Sequence, residues 1–98
     1  MKLRFDARAI CDLREIHAYL IEKAEVGAAD RVRTHLRLRT RQLAKRPLIG
    51  LATTMSEIRV LPPTRYPYRI YYTIQGEDLV ILHIRHTSRR APEADELT

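Results

Sequence analysis

The chain has 98 residues, a formal net charge of +6 and a pI near 10.0, which fits one domain with a core just large enough to fold alone. A charge of that sign selects acidic partners, either nucleic acid or an acidic protein. Cys11 is the single cysteine, which excludes an internal disulfide, and no apolar run reaches transmembrane length or resembles a signal-peptide core. The expectation is a single domain over residues 1–98 in the reducing cytoplasm.

Lys2-Leu3-Arg4-Phe5 alternates polar and apolar residues, the pattern of a short half-buried strand. Asp6 offers an N-cap for a first helix. Its apolar positions Ile10, Leu13, Ile16, Leu20 and Ile21 run on one face through Glu22. His17 projects from that face, where a satisfied, mostly buried histidine is expected. Gly27 is expected to close the helix as a left-handed C-cap.

A second helix is expected from Ala28 to Arg46, stopped by Pro47. At ~100° per residue, Ala29, Val32, Leu36, Thr40 and Leu43 gather on one side. Arg33, Arg37 and Arg41 climb the flank at i, i+4 spacing, where like charges repel by a few tenths of a kcal/mol. Leu38 points to solvent among arginines. The charge of the whole chain is concentrated here. Residues 1–50 hold 12 Lys+Arg against 6 Asp+Glu, whereas residues 51–98 hold 6 of each. The arginine run reads equally as a solvated helix surface or as a binding face for an anionic partner.

Pro47–Thr54 reads as a loop pivoting on Gly50. Glu57–Leu61 alternates, with Ile58 and Val60 on one side and Glu57, Arg59 and Leu61 on the other, and Pro62-Pro63 ends that strand. Two further β-rich runs, Tyr68–Gln75 and Leu79–His86, flank Gly76-Glu77-Asp78 as a hairpin does. A two-residue turn pairs Gln75 with Asp78. A three-residue turn or a five-residue loop pairs Arg69 with Arg85 and Tyr71 with His83. The second parity collects Tyr68, Ile70, Tyr72, Ile74, Val80, Leu82 and Ile84 on one face, and register follows the face that can be buried. Ile81 then falls on the opposite face. The tail Ala91–Thr98 is acidic, short and expected to be loose.

The fold class expected is therefore α+β: a small antiparallel sheet in the order β-α-α-β-β-β, with a two-helix hairpin on one face. The other face is expected to be open, displaying Arg59, Arg69, Tyr71, His83 and Arg85. Two arginines directly opposite each other repel across the strands. A hairpin that tolerates them either uses the charge on something anionic or carries it for solubility.

At this point the sequence resembles the RelE/ParE toxin superfamily of type II toxin–antitoxin systems. The resemblance rests on Ala9, Asp12-Leu13, Glu15-Ile16 and Tyr19, then Leu43, Pro47 and Gly50. It continues through Ile58-Arg59, Tyr68-Arg69, Tyr72 and the run Ile81-Leu82-His83-Ile84-Arg85-His86. These residues span nearly the whole chain, and the superfamily's fold agrees with the order read from periodicity. It implies one of two activities: ribosome-dependent mRNA cleavage, as in RelE-like members, or poisoning of DNA gyrase, as in ParE-like members. It also implies an acidic antitoxin that wraps the toxin, with Arg33, Arg37, Leu38, Arg41 and Arg59 as candidate contacts.

On the nuclease alternative the resemblance gives catalytic positions to Arg69, His83, Arg85 and His86. Arg69 stands where that branch binds phosphate. RNA cleavage needs a base for the ribose 2′-OH, cations for the developing charge and an acid for the leaving oxygen. Lys45 is the last lysine and no tyrosine follows Tyr72, so the lysines that nuclease members commonly carry before the hairpin, and their C-terminal tyrosine, are absent. That favours the ParE-like branch and gyrase over the ribosome and mRNA. A non-toxic basic module that lays its second helix on phosphates is the remaining class, but it lacks an aromatic stacking ladder. No cofactor is expected, since there is no phosphate-cradling glycine loop, and four histidines with one cysteine are not spaced as a metal site.

Overall fold

A computed structural model describes residues 1–97. The elements run β1 (Lys2–Phe5), α1 (Ala7–Lys23), α2 (Ala28–Lys45), β2 (Leu51–Ala52), β3 (Ile58–Leu61), β4 (Tyr68–Gln75) and β5 (Asp78–His86), with a final 3₁₀ turn at Ala94–Glu96. They form an α+β fold with the helical hairpin packed on a five-stranded sheet of order β1-β5-β4-β3-β2. β1 joins β5 in parallel, whereas β2 to β5 are antiparallel neighbours, so the sheet is mixed. The two helices between β1 and the rest of the sheet make that parallel return possible.

Asp6 caps α1 as its sequence position suggests, its side chain accepting from the Arg8 N–H at 3.3 Å. Gly27 is left-handed, at φ +85°, but it caps the start of α2. α1 has already ended at Lys23. His17 is half-buried and satisfied, its Nε2 lying 3.1 Å from Asp30 Oδ1. The core face of α2 is the one its periodicity selects: Ala29, Val32, Leu36, Thr40 and Leu43 are all buried. Leu36 and Leu43 meet Tyr72, Leu79 and Ile81 beneath them in one continuous core. Truncating a side chain as enclosed as Leu43 costs about 2–5 kcal/mol.

The segment expected to be loop contains β2, a two-residue edge strand held opposite Arg59 and Val60. Gly50 just before it is fixed by Tyr72, whose hydroxyl accepts the Gly50 N–H at 3.0 Å and donates to Pro47 O at 2.7 Å. Burial pushes the Tyr72 phenol upward from its ordinary value.

The hairpin uses both pairings that the sequence offered. Near its open end Arg69 stands opposite Arg85 and Tyr71 opposite His83, while at the turn Gln75 stands opposite Asp78. A bulge between Tyr71 and Tyr72 reconciles them: Tyr72 pairs with Ile81, leaving Leu82 as the extra residue. Gly76, at φ +61°, takes the first turn position, where glycine is favoured.

The bulge reverses the face of the β5 residues on its turn side, while β4 keeps its alternation. Ile81 therefore lies in the helix-covered core, and Val80 and Leu82 lie on the far side of the sheet with Tyr71, opposite to the single-parity expectation. β3 differs in the same sense. Leu61 enters the core, Ile58 and Val60 pack on the far side, and Arg59 stands beside Tyr72.

That far side is not open. The acidic tail folds back across it, and Leu97 is only 4% exposed, packed with Tyr71, Val80 and Leu82. The loose tail and bare sheet face expected from sequence are both corrected.

Candidate functional site

Asp12 sits on the buried side of α1, three residues after Ala9 and four before Ile16, so a carboxylate projects from an otherwise apolar face. It reaches β5 just beyond the end of β1, which pairs only from Asp78 to Ile81. There it substitutes for a strand: Asp12 Oδ2 accepts the Ile84 backbone N–H at 2.9 Å and a hydrogen bond from His83 Nδ1. Arg8 Nε stands 3.4 Å from the other carboxylate oxygen and compensates its charge.

His83 is 2% exposed, and both of its ring nitrogens are engaged. Nε2 lies 3.0 Å from Arg85 Nη2. A guanidinium only donates, so Nε2 must accept and the ring proton sits on Nδ1, aimed at Asp12. Arg85, 8% exposed, also donates to Glu96 Oε2 at 2.6 Å and to Arg90 O at 2.9 Å. Its Nε is buried and has no partner among the described residues. The Glu93 N–H and then the Arg85 guanidinium hold the Glu96 carboxyl below its ordinary value. Asp12, His83, Arg85 and Glu96 thus form one linked chain from α1, across β5, to the tail. Glu96 also answers the repulsion between Arg69 and Arg85.

Neither Asp12 nor Glu96 stood out as a site residue in the sequence. The available signal was an acid on the inward arc of α1 and an acid immediately before a leucine in the tail. Each becomes meaningful only when β5 and the tail are placed against them.

The remaining candidates are not hydrogen-bonded into this chain, although Arg69 stands opposite Arg85 and His86 lines the same groove as His83 and Arg85. Arg69 is half-buried and reaches Thr87 O at 3.5 Å. His86 accepts the Ser88 N–H at 3.0 Å and sets its ring edge-on to Tyr68, with centroids 5.4 Å apart. It borders a groove of about 490 Å³ whose lining also includes Asp12, His83 and Arg85, together with Glu15, Tyr19 and Arg89. Arg59 is turned inward, donating to Gly50 O at 2.8 Å, so it braces the β2 loop.

Arg33, Arg37 and Arg41 border a second groove of about 710 Å³ between α1, α2 and β1. Leu38 is 52% exposed but faces a different hollow, beside His35, Arg65 and Tyr66. His35 there is held below its ordinary pKa by burial and then by Arg39 and Arg65. The arginine stripe and Leu38 share a helix but not a surface.

Compared with known families, residues 3–91 match the model of the ParE toxin of type II toxin–antitoxin system, parDE. The chain belongs to the ParE toxin family. No curated protein matches the sequence. Among solved structures, this ParE-family chain is similar to one described as the chromosomal ParDE TA system from P. aeruginosa. The two share 19% identity and a TM-score of 0.79, over 88% of this chain and 95% of that one. The isolated E. coli RelE toxin aligns at 18% identity with a TM-score of 0.65, covering 91% and 86% of the respective chains. The intact E. coli RelBE toxin–antitoxin complex gives 18% and 0.65, covering 90% and 98%. At these identities the shared property is the fold, which is common to ParE and RelE proteins. Among the described residues no helix is long and apolar enough to cross a membrane.

Proposed function

We propose that this ParE-family toxin acts in the cytoplasm by inhibiting DNA gyrase, is neutralised by an acidic antitoxin, and does not cut RNA. One observation carries the second half of that reading: the groups that would have to perform RNA cleavage are committed elsewhere. His83 has no free nitrogen, and Arg85 spends its guanidinium on His83, Glu96 and Arg90 O. Arg85 is in addition tied to the tail through Glu96. Of the four candidates that leaves Arg69 and His86 uncommitted, and one cation with one imidazole cannot by themselves supply base, acid and charge stabilisation together. The missing lysines before the hairpin and the missing late tyrosine point the same way.

The test is parallel addition of purified protein to a gyrase supercoiling assay and to a ribosome programmed with mRNA. Supercoiling is expected to fall while the mRNA stays intact. Cleavage of A-site mRNA that Arg69→Ala abolishes at unchanged melting temperature would overturn the reading. In a nuclease, losing one oriented charge stabiliser raises the barrier by about 2.7–4 kcal/mol.

A further inference from the structure

We propose that the hollow between α2 and the β3–β4 connection (residues 62–67) receives an acidic segment of the inhibited protein, anchored by one large apolar side chain. The partner's identity rests on the reading above, whereas its chemistry is set by the hollow itself. The hollow measures about 390 Å³, with Arg31, His35 and Leu38 on the α2 side and Arg65 and Tyr66 on the other. Leu38 is 52% exposed, while Tyr66 is half-buried and rooted in the core. Its walls are set before anything enters. Arg39 Nη2 donates to Pro62 O at 2.9 Å, and His35 Nε2 lies 3.4 Å from Thr64 Oγ1, so the connection is tied to α2 at two points. His35 also meets Tyr66 edge-on, with centroids 5.1 Å apart. Walls fixed in advance lower the ordering cost of binding.

The charge around the hollow has little use inside the chain. Arg65 lies with its guanidinium carbon 5.7 Å from the centre of the Tyr66 ring, and among the described residues it has no ion pair. Arg31 pairs with Glu25 at 2.9 Å, but the two side chains are 50% and 80% exposed, and a pair so open to water is exchanged at little cost. The one bordering acid, Asp30, already serves His17 and Arg33. Burial and then Arg39 and Arg65 hold His35 below its ordinary pKa, so the ring is neutral near pH 7 and the cations are the arginines. One occupant meets both features: an apolar side chain laid on Leu38, with carboxylates reaching Arg31 and Arg65. A nucleic-acid strand would meet the charge, but such strands stack bases on aromatic faces, and here Arg65 already lies over the face of Tyr66. Arg33, Arg37 and Arg41 border a different groove and take no part.

The probe is a short fluorescent peptide in which one tryptophan is flanked by glutamates. Anisotropy titrations with the full chain compare it with the same peptide carrying lysines for glutamates, with one carrying serine for tryptophan, and with a single-stranded oligonucleotide. The acidic tryptophan peptide is expected to bind best, with affinity falling as salt rises. Leu38→Glu and Arg65→Glu should each weaken it about tenfold or more. Arg37→Glu, which changes the charge outside the hollow, should weaken it by no more than about twofold. Leu38 and Arg65 are exposed, so these variants should fold, as circular dichroism would verify, and Leu38→Ala provides a milder second test. Failure of the acidic peptide to bind, equal binding of the lysine peptide, the serine peptide or the oligonucleotide, or equal weakening by Arg37→Glu would each overturn the proposal. Gyrase supercoiling reads the target separately. A wild type that binds the peptide without inhibiting supercoiling sinks the gyrase reading alone. Inhibition that survives Leu38→Glu and Arg65→Glu undiminished sinks the hollow alone.

Discussion

Replacing Asp12 with alanine isolates what the buried chain contributes. In the wild type the carboxylate receives the His83 Nδ1–H and the Ile84 N–H, and the surrounding atoms exclude water from both donors. Alanine leaves the two donors without a partner in a site too enclosed for easy hydration. Each buried unsatisfied donor costs about 1–3 kcal/mol, so the substitution should remove about 2–6 kcal/mol of stability. For a domain of this size, 1 kcal/mol shifts Tm by about 4–8 °C, so even the low end is a shift of at least about 8 °C. Urea denaturation followed by circular dichroism gives the free energy directly. Asp12→Asn should lie between the two, because its single carbonyl oxygen can serve one donor well and the other poorly. Asp12→Ala combined with His83→Ala should be less destabilised than the sum of the single variants, since removing the imidazole removes one stranded donor. A loss below about 1 kcal/mol for Asp12→Ala, or strict additivity of the pair, would refute the assignment of these residues to a structural network.

Glu96 has its folded-state pKa depressed, so its contribution is present above the ordinary glutamate value of 4.5 and is lost as pH falls through the folded value. Wild-type stability should therefore drop more steeply below that range than that of Glu96→Gln, and a matching acid titration of the two would show it. Tyr72→Phe strands Pro47 O and the Gly50 N–H and should cost about 1–3 kcal/mol in chemical denaturation, while a change under a few tenths would mean water replaces the hydroxyl. Gly27→Ala places a side chain at φ +85° and should lower stability by about 1–2 kcal/mol; no change in melting temperature would show that the turn relaxes freely. Leu97→Glu introduces a charge where Tyr71, Val80 and Leu82 are packed, and should free the tail for proteolysis without unfolding the sheet. Uniform loss of the whole fold would show the tail to be part of the core.

Periodicity located both helices and fixed the inward face of α2, whereas on α1 Ile10 and Ile21 of the expected apolar face stay exposed. The inward face of α2 follows from residue spacing because a helix with five apolar or small residues on one arc has only one way to bury them. The α+β class and the order of elements follow for the same reason, and so did the position of each hairpin strand. The pairing of Arg69 with Arg85 and Tyr71 with His83 was also legible, because register is set by the face that can be buried.

Only the tertiary structure decided the bulge. At the turn, local chemistry prefers the two-residue connection through Gly76, and near the open end burial prefers the other parity. One extra residue, Leu82, satisfies both, and no window of sequence weighs those two demands together. The covered far face was hidden for a related reason: Ile58, Val60, Val80 and Leu82 could be assigned to a side only once the sheet existed. Asp12 and Glu96 lie 71 and 13 residues from His83 along the chain, and their meaning as the two ends of one hydrogen-bonded chain arises from contact, which sequence order does not encode.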